Sequence, residues 1–229
     1  MIKTLLVDDH PSFRMPLAFM FEQEPDLKVV AQAGSLAEAR ETLERVGPSV
    51  DLVLVDLDLP DGSGTTLIQE VHAANPNALV LVLSAFSDRK WLAQAIEAGA
   101  AGILHKSSRV GEVIDAVRRL WAGEHLISPK EVVEATRFMD RQRQEDREAQ
   151  QLFAKLTPRE REVLQALANG LSDKELAQNL HVDVDTIQTH MGNIRSKLEV
   201  ASRLQALVFA VRHSVVKIER ARSGYSQQA

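Results

Sequence analysis

Short apolar runs alternate with helix-periodic stretches through the first half of the chain. The runs are Ile2–Val7, Leu27–Ala33, Leu52–Val55, Leu79–Leu83 and Gly102–Leu104. Between them, apolar residues recur at steps of three and four, as at Leu36, Ala39, Leu43 and Val46, which is the spacing of one helix face. Strand–helix alternation of this kind predicts a parallel sheet covered by helices on both sides. Five such units in about 120 residues fit a flavodoxin-like, doubly wound order, in which ligands sit at the carboxyl ends of the strands.

The pattern changes after residue 122. Residues 123–153 read as a linker, partly helical. Ser128 is placed to cap a helix, with Pro129 at its first position. Val132, Val133 and Met139 give a brief apolar side, but DRQRQEDREAQQ at 140–151 has almost none. The stripe is too short for a coiled coil. Residues 154–218 then read as a small all-α domain of four helices. Thr157 caps the first, with Pro158 behind it and Glu160 at the capping-box position; Gly170 ends it. Ser172 and Glu175 repeat the box for the second helix, and Asp183 can cap a third after the turn HVD. In that third helix Ile187, Met191, Ile194 and Leu198 face a core, and the opposite side is polar. The last helix is apolar on two sides. Leu204, Val208, Val211 and Val215 form one stripe; Leu207 and Ala210, with Ala206 and Phe209 offset, form another. One stripe can close the domain's own core. The other needs a cover, and a two-fold copy of the chain is the economical choice. Residues 219–229 are expected to be a disordered tail, and no internal repeat is visible.

Composition narrows the picture. There is no cysteine among 229 residues, which excludes disulfides and thiolate zinc sites. The apolar run Ala78–Leu83 is far too short to span a bilayer. The opening MIKTLLVDDH turns acidic after seven residues, so it does not read as a secretory signal. A cytoplasmic protein with no membrane partner is the expectation. Charge is divided unevenly: residues 1–129 carry 11 Lys/Arg against 18 Asp/Glu, and residues 156–229 carry 10 against 8. An acidic front half suits a cation, and a mildly basic back half permits a polyanion.

Polar residues cluster where the predicted sheet would expose its carboxyl edge. Asp8 and Asp9 end the first strand, Asp56 the third and Ser84 the fourth, and Lys106 follows the fifth. Alone, each has a plain structural reading: a helix cap, a solvated strand end, a surface lysine. Together, three carboxylates at one edge repel one another unless a cation sits among them. Magnesium suits an all-oxygen set. The ammonium and the hydroxyl can then hold an anionic group on one carboxylate, the arrangement phosphoryl transfer to an Asp nucleophile requires.

These residues lie in VDDHP at 7–11, VDLDLPDGSG at 55–64, LSAFSD at 83–88 and HKSS at 105–108. In them residues 1–122 resemble the receiver domain of response regulators. The resemblance implies that Asp56 is the phospho-acceptor. It implies Asp8, Asp9 and Asp56 as magnesium ligands, with the Asp58 backbone carbonyl as a further contact. Ser84 becomes the hydroxyl switch and Lys106 the phosphate-pairing lysine. Ile103 stands where receivers usually carry the aromatic residue that relays the switch.

In the second half LTPREREVL, GLSDKELA and TIQTHMGNIRSKL resemble the LuxR-type helix-turn-helix of NarL/FixJ response regulators. A short helix, a tight turn and a helix with a polar outer face suit a DNA major groove. The resemblance implies base contacts from Gln188, Thr189 and Gly192. Lys174, Thr186, His190, Arg195, Lys197 and Arg203 are implied on the phosphate side. It also implies a homodimer through Leu204, Leu207, Val208 and Val211. The sequence departs from the family at Gln188, commonly Lys, at Asp173, commonly Asn, and at Asp185, often basic.

The resulting expectation is a DNA-binding transcriptional response regulator, not an enzyme. A sensor histidine kinase or small phosphodonor would supply Asp56, and phosphorylation would control dimerisation and DNA binding. The alternative is an atypical regulator acting independently of phosphorylation or through protein contacts. A DxD phosphohydrolase could use Asp56 and Asp58, but that fold carries its DxD after the first strand and leaves Asp8 and Asp9 without a role.

Overall fold

The computed structural model describes residues 1–85 and 88–216. The chain divides into two compact units, residues 1–140 and 141–229. Phe86 and Ser87 of the LSAFSD motif lie outside the described residues, as does the tail expected at 219–229.

The first unit is built on a five-stranded parallel sheet, β1 (Ile2–Val7), β2 (Leu27–Ala33), β3 (Leu52–Val55), β6 (Leu79–Ser84) and β7 (Gly102–His105), in the order β2-β1-β3-β6-β7. Its helices are α1 (Pro11–Glu22), α2 (Leu36–Val46), α3 (Gly64–Ala74), α4 (Arg89–Ala98) and α5 (Val110–Trp121). The strands are apolar throughout because both faces are covered, and their period of two sorts the side chains into two layers. Leu5, Val7, Val53, Val55, Val80 and Val82 pack with Leu36, Leu43, Leu67, Ile68 and Ala95 of α2, α3 and α4. Leu6, Leu52, Leu54, Leu81 and Leu83 pack on the other side with Leu17 and Phe21 of α1 and Val113, Val117 and Leu120 of α5. Each fully buried side chain of this kind stabilises by about 1.5–3 kcal/mol before entropy is counted.

One feature of this unit has no counterpart in the hydrophobic pattern. A two-stranded antiparallel hairpin, β4 (Asp58–Leu59) with β5 (Gly62–Ser63), follows β3. Asp61 at its tip accepts hydrogen bonds from the Leu36 and Ala37 N–H groups, 2.7 and 2.9 Å, and so caps α2 from afar. Behind the hairpin, Gly64 lies so close to the Asp56 carbonyl that a Cβ there would fall 2.1 Å from its oxygen. Only glycine fits that approach.

Helix α6 (Pro129–Ala154) is continuous for 26 residues, and the division between units falls inside it. Ser128 and Glu131 form a reciprocal cap at its start. The second unit holds α7 (Pro158–Ala168), α8 (Asp173–Asn179), α9 (Val184–Lys197) and α10 (Arg203–Arg212). Capping boxes close α7 through Thr157 and Glu160 and α8 through Ser172 and Glu175, as their spacing predicts. Asp183 stands at the N-cap of α9 but makes no side-chain cap bond. Leu164, Leu176, Ile187, Ile194, Leu198, Ala206 and Ala210 fill the core. Among the described residues no helix is long and apolar enough to cross a membrane.

The two sides of α10 separate less evenly than the sequence suggests. Leu204, Val208 and Val211 are 68%, 55% and 40% exposed. Leu207 and Val215 pack against the unit's own core. Ala206 and Ala210 are small enough to let α10 approach the core, which brings Leu207 inward and removes it from the set expected to meet a second copy; Val215 lies beyond the end of α10 and packs on the core as well.

Candidate acidic site and nucleic-acid interface

Register gathers the acidic residues. Val7 pairs laterally with Val55, and Val55 with Val82, so Asp8 and Asp56 leave the sheet at one level. The ladder continues past the strands: the Asp56 N–H donates to the Val7 carbonyl at 2.9 Å, and the Lys106 N–H to the Ser84 carbonyl at 2.9 Å. Ser84 ends β6 and is buried.

Lys106 enters this edge from the end of β7. Its Nζ lies 2.6 Å from Asp56 Oδ2 and 2.7 Å from Asp8 Oδ2. Both carboxylates belong to residues only 4% exposed. Burial pushes the Asp56 carboxyl above the ordinary aspartate range, although Lys106 pulls against it. Burial works against the Lys106 ammonium too, but the hydrogen bonds and charges of Asp56 and Asp8 outweigh it and raise its pKa. The Phe13 ring lies 5.4 Å from the same ammonium, within cation–π range.

The donor set fits a divalent cation. One ligand atom each from Asp8, Asp9, His10 and Asp56 lies within 4.8 Å of the others. Asp8 Oδ2 and Asp9 Oδ1 are both sealed from solvent. The Lys106 ammonium faces Asp8 Oδ2 at 2.7 Å, and the His10 ring places Nδ1 2.5 Å from Asp9 Oδ1. The Asp58 side chain is exposed, and its N–H approaches Asp56 Oδ1 at 3.3 Å. Sequence reasoning missed three neighbours at the start of α1. His10 flanks the carboxylates, Phe13 faces Lys106, and Arg14 donates to the carbonyls of Asp8 and Ala33. The signal was available, since Phe13 and Arg14 stand three and four residues after His10, the spacing of one helix face.

In the second unit α8 and α9 flank a turn in which His181 takes φ 52°. Ile187, Met191 and Ile194 are buried, while Gln188, Thr189 and Arg195 are exposed on the opposite side of α9, with Gly192 and His190 half-buried between. Lys174 is exposed on α8, and Thr186 is half-buried in the first turn of α9. A Cβ at Gly192 would meet nothing within 4 Å, so no packing demand explains glycine there.

Two residues expected on the phosphate side have partners within the unit. Lys197 Nζ donates to both oxygens of the Glu160 carboxylate, at 2.9 and 2.7 Å, and Glu160 is 3% exposed. Arg203 donates to Asp173 and, at 3.2 Å, to the Leu171 carbonyl. Both cations hold helices together, which the polar face of a helical wheel does not reveal.

Each of the two units matches a known family. Residues 4–118 match the family model of the response regulator receiver domain. Residues 154–210 match that of bacterial regulatory proteins of the luxR family. The chain is 34% identical over 214 residues to the uncharacterized transcriptional regulatory protein YhcZ of Bacillus subtilis, covering 93% of this chain and 97% of that one. It is 32% identical over 216 residues to the response regulator protein VraR of Staphylococcus aureus, covering 94% and 99%. A LuxR-family two-component response regulator from Aurantimonas aligns with a TM-score of 0.51 at 31% identity, covering 58% of this chain and 95% of that one. With an acidic strand-end site in one unit and a helix-turn-helix in the other, the chain belongs to the two-component response regulators that join a receiver domain to a LuxR-type DNA-binding domain.

Proposed function

We propose that Asp56 accepts a phosphoryl group in the presence of magnesium, and that this modification controls dimerisation and the affinity of α9 for DNA. The observation that carries the reading is the Lys106 ammonium shared between Asp8 and Asp56 in a buried, carboxylate-rich edge. Asp8, Asp9 and Asp56 would hold magnesium, with the Asp58 carbonyl as a further oxygen ligand; the ion would supply positive charge to the transferring phosphoryl oxygens. An Asp56 oxygen forms a bond to phosphorus as the bond to the donor breaks. The bonding electrons leave with the donor, a carboxylate from an acyl phosphate or an imidazole nitrogen, which then takes a proton, from a kinase phosphohistidine. Lys106 turns from its carboxylates to a phosphoryl oxygen, and Ser84 donates to another. A sensor histidine kinase or a small phosphodonor serves as source, and the protein works in the cytoplasm.

The DNA partner meets α9. Gln188, Thr189 and Gly192 face base edges, and Lys174, Thr186, His190 and Arg195 face phosphates, with Lys197 and Arg203 acting mainly as struts. Leu204, Val208 and Val211 of α10 meet their copies in a homodimer. Supporting this division, Gly192 sits mid-helix with open space before it, at a cost of about 1 kcal/mol of helix propensity against alanine. Close approach of DNA backbone or bases explains that cost.

The test compares the full chain with Asp56→Asn under an acyl phosphate and magnesium. The parent is expected to gain the mass of one phosphoryl group and to bind its best duplex about 5–100-fold more tightly, in the range of ordinary coupling energies. Asp56→Asn should do neither. Equal labelling of the variant refutes the acceptor assignment; labelling without any change in DNA affinity favours the phosphorylation-independent regulator. On the DNA side, Gly192→Ala should raise the stability of the second unit by about 1 kcal/mol while weakening duplex binding. A variant that is stabilised and binds as well as the parent removes Gly192 from the interface.

A further inference from the structure

We propose that His105 is a positioning residue that holds the Ser84 loop and the Lys106 loop in one frame; the proposal rests on the phosphorylation reading above. His105 ends β7 and pairs laterally with Ser84, the end of β6. Its Nε2 lies 3.1 Å from the carbonyl oxygen of Ala85, the residue immediately after Ser84. Its Nδ1 lies 2.6 Å from Ser107 Oγ and receives the Ser107 N–H at 3.1 Å. Ser107 immediately follows Lys106.

The partners fix the tautomer. A carbonyl only accepts, so Nε2 carries the proton; Nδ1 is then the acceptor for both Ser107 groups. With the proton on Nε2, one ring meets Ala85 and Ser107 at once. A surface histidine ordinarily leaves a nitrogen to water, whereas here both engage residues adjacent to the two groups that meet a phosphoryl oxygen. The sheet's own tie between these strand ends is the Lys106 N–H on the Ser84 carbonyl, 2.9 Å. His105 adds a second tie just beyond it, where the ladder has stopped.

Strand geometry explains why the bridge is needed at this position. Residues 103 and 105 share one face of β7. Ile103 packs against the apolar layer that holds Val80, Val82 and Ala95, and its side chain has no hydrogen-bonding group. The polar ring that can join β7 to the following loop of β6 therefore stands one step along the strand, at the rim. The phosphoryl group needs the Ser84 hydroxyl and the Lys106 ammonium at a set separation. A misplacement of about 1 Å can cost on the order of 100-fold in rate.

The experiment uses the full chain, an acyl phosphate and magnesium, with His105→Leu, His105→Gln and Ser107→Ala. Read out are the maximal phosphorylation rate, the half-saturating donor concentration, the magnesium dissociation constant from tryptophan fluorescence, and the melting midpoint. His105→Leu is expected to lower the maximal rate about 10-fold with magnesium binding and melting unchanged. His105→Gln, whose amide still donates and accepts, is expected to recover most of the rate, and Ser107→Ala to fall between. A parent that takes no phosphoryl group overturns the phosphorylation reading and this role with it. A parent that is labelled beside an equally fast His105→Leu overturns the role of His105 alone. So does a loss that runs in parallel with magnesium affinity, or one that His105→Gln does not relieve.

Discussion

Replacing Lys106 by alanine is expected to cost the receiver domain about 3 kcal/mol without divalent cations, the usual price of stranding a buried charge partner, and magnesium is expected to return most of it. The Lys106 side chain is 14% exposed, and its carboxylate partners 6% and 5%. Removing the ammonium leaves the buried carboxylates of Asp8 and Asp56 without the cation they share, with Asp9 close by. Burial already pushes Asp56 upward, and without Lys106 it rises further. Because the folded Lys106 pKa is raised above 10.5, the stability it contributes is complete below the unfolded value and lost only as pH rises through the folded one. Neutral pH therefore reports the intact ion pair. A divalent cation that binds the folded form stabilises by mass action, and in the variant it no longer competes with an ammonium for the same oxygens. Urea unfolding with and without magnesium should show a larger magnesium-induced shift for Lys106→Ala than for the parent. Equal shifts would mean that Lys106 and the metal do not share these carboxylates.

Much of this architecture is legible in the sequence because it depends on local regularities. Apolar runs of strand length, separated by helix-periodic stretches, dictate the doubly wound sheet, and the sheet alone brings Asp8, Asp56 and Lys106 to one edge. Capping boxes at Thr157 and Ser172 mark their helices without reference to anything distant. What stays hidden is long-range. The β4–β5 hairpin has two residues in each strand, too few for a period to register. Its Asp61 caps a helix that begins 25 residues earlier. His105 looks like any polar residue at a strand end until its two nitrogens find Ala85 and Ser107. Helical spacing sorts Lys197 onto a polar face, but cannot tell a side chain that reaches outward from one that bends back to a carboxylate 37 residues away.

That last distinction separates two cations on the same helix. Arg195→Ala should leave the stability of the helix-turn-helix domain nearly unchanged, since its exposed side chain is tied, among the described residues, by a 3.4 Å contact with the Ala201 carbonyl. It should weaken binding to all duplexes alike and reduce the salt slope by about one unit. Lys197→Ala should do the reverse, with a small effect on the salt slope and a large one on folding. Glu160→Ala should cost more still, about 3 kcal/mol, because it removes both the buried carboxylate that Lys197 holds and the reciprocal half of the Thr157 cap. Burial works against the Glu160 charge, but Lys197 and Thr157 prevail and hold its carboxyl below the ordinary value of 4.5. A depressed folded pKa contributes stability above the unfolded value and loses it as pH falls through the folded one. The parent domain should therefore weaken below about pH 4.5, and Glu160→Gln should flatten that part of the profile. Urea unfolding of the full chain, followed by far-ultraviolet circular dichroism across this range, measures both. If Lys197→Ala keeps the parent's stability and loses a unit of salt slope, Lys197 reaches DNA after all and Glu160 stands without it.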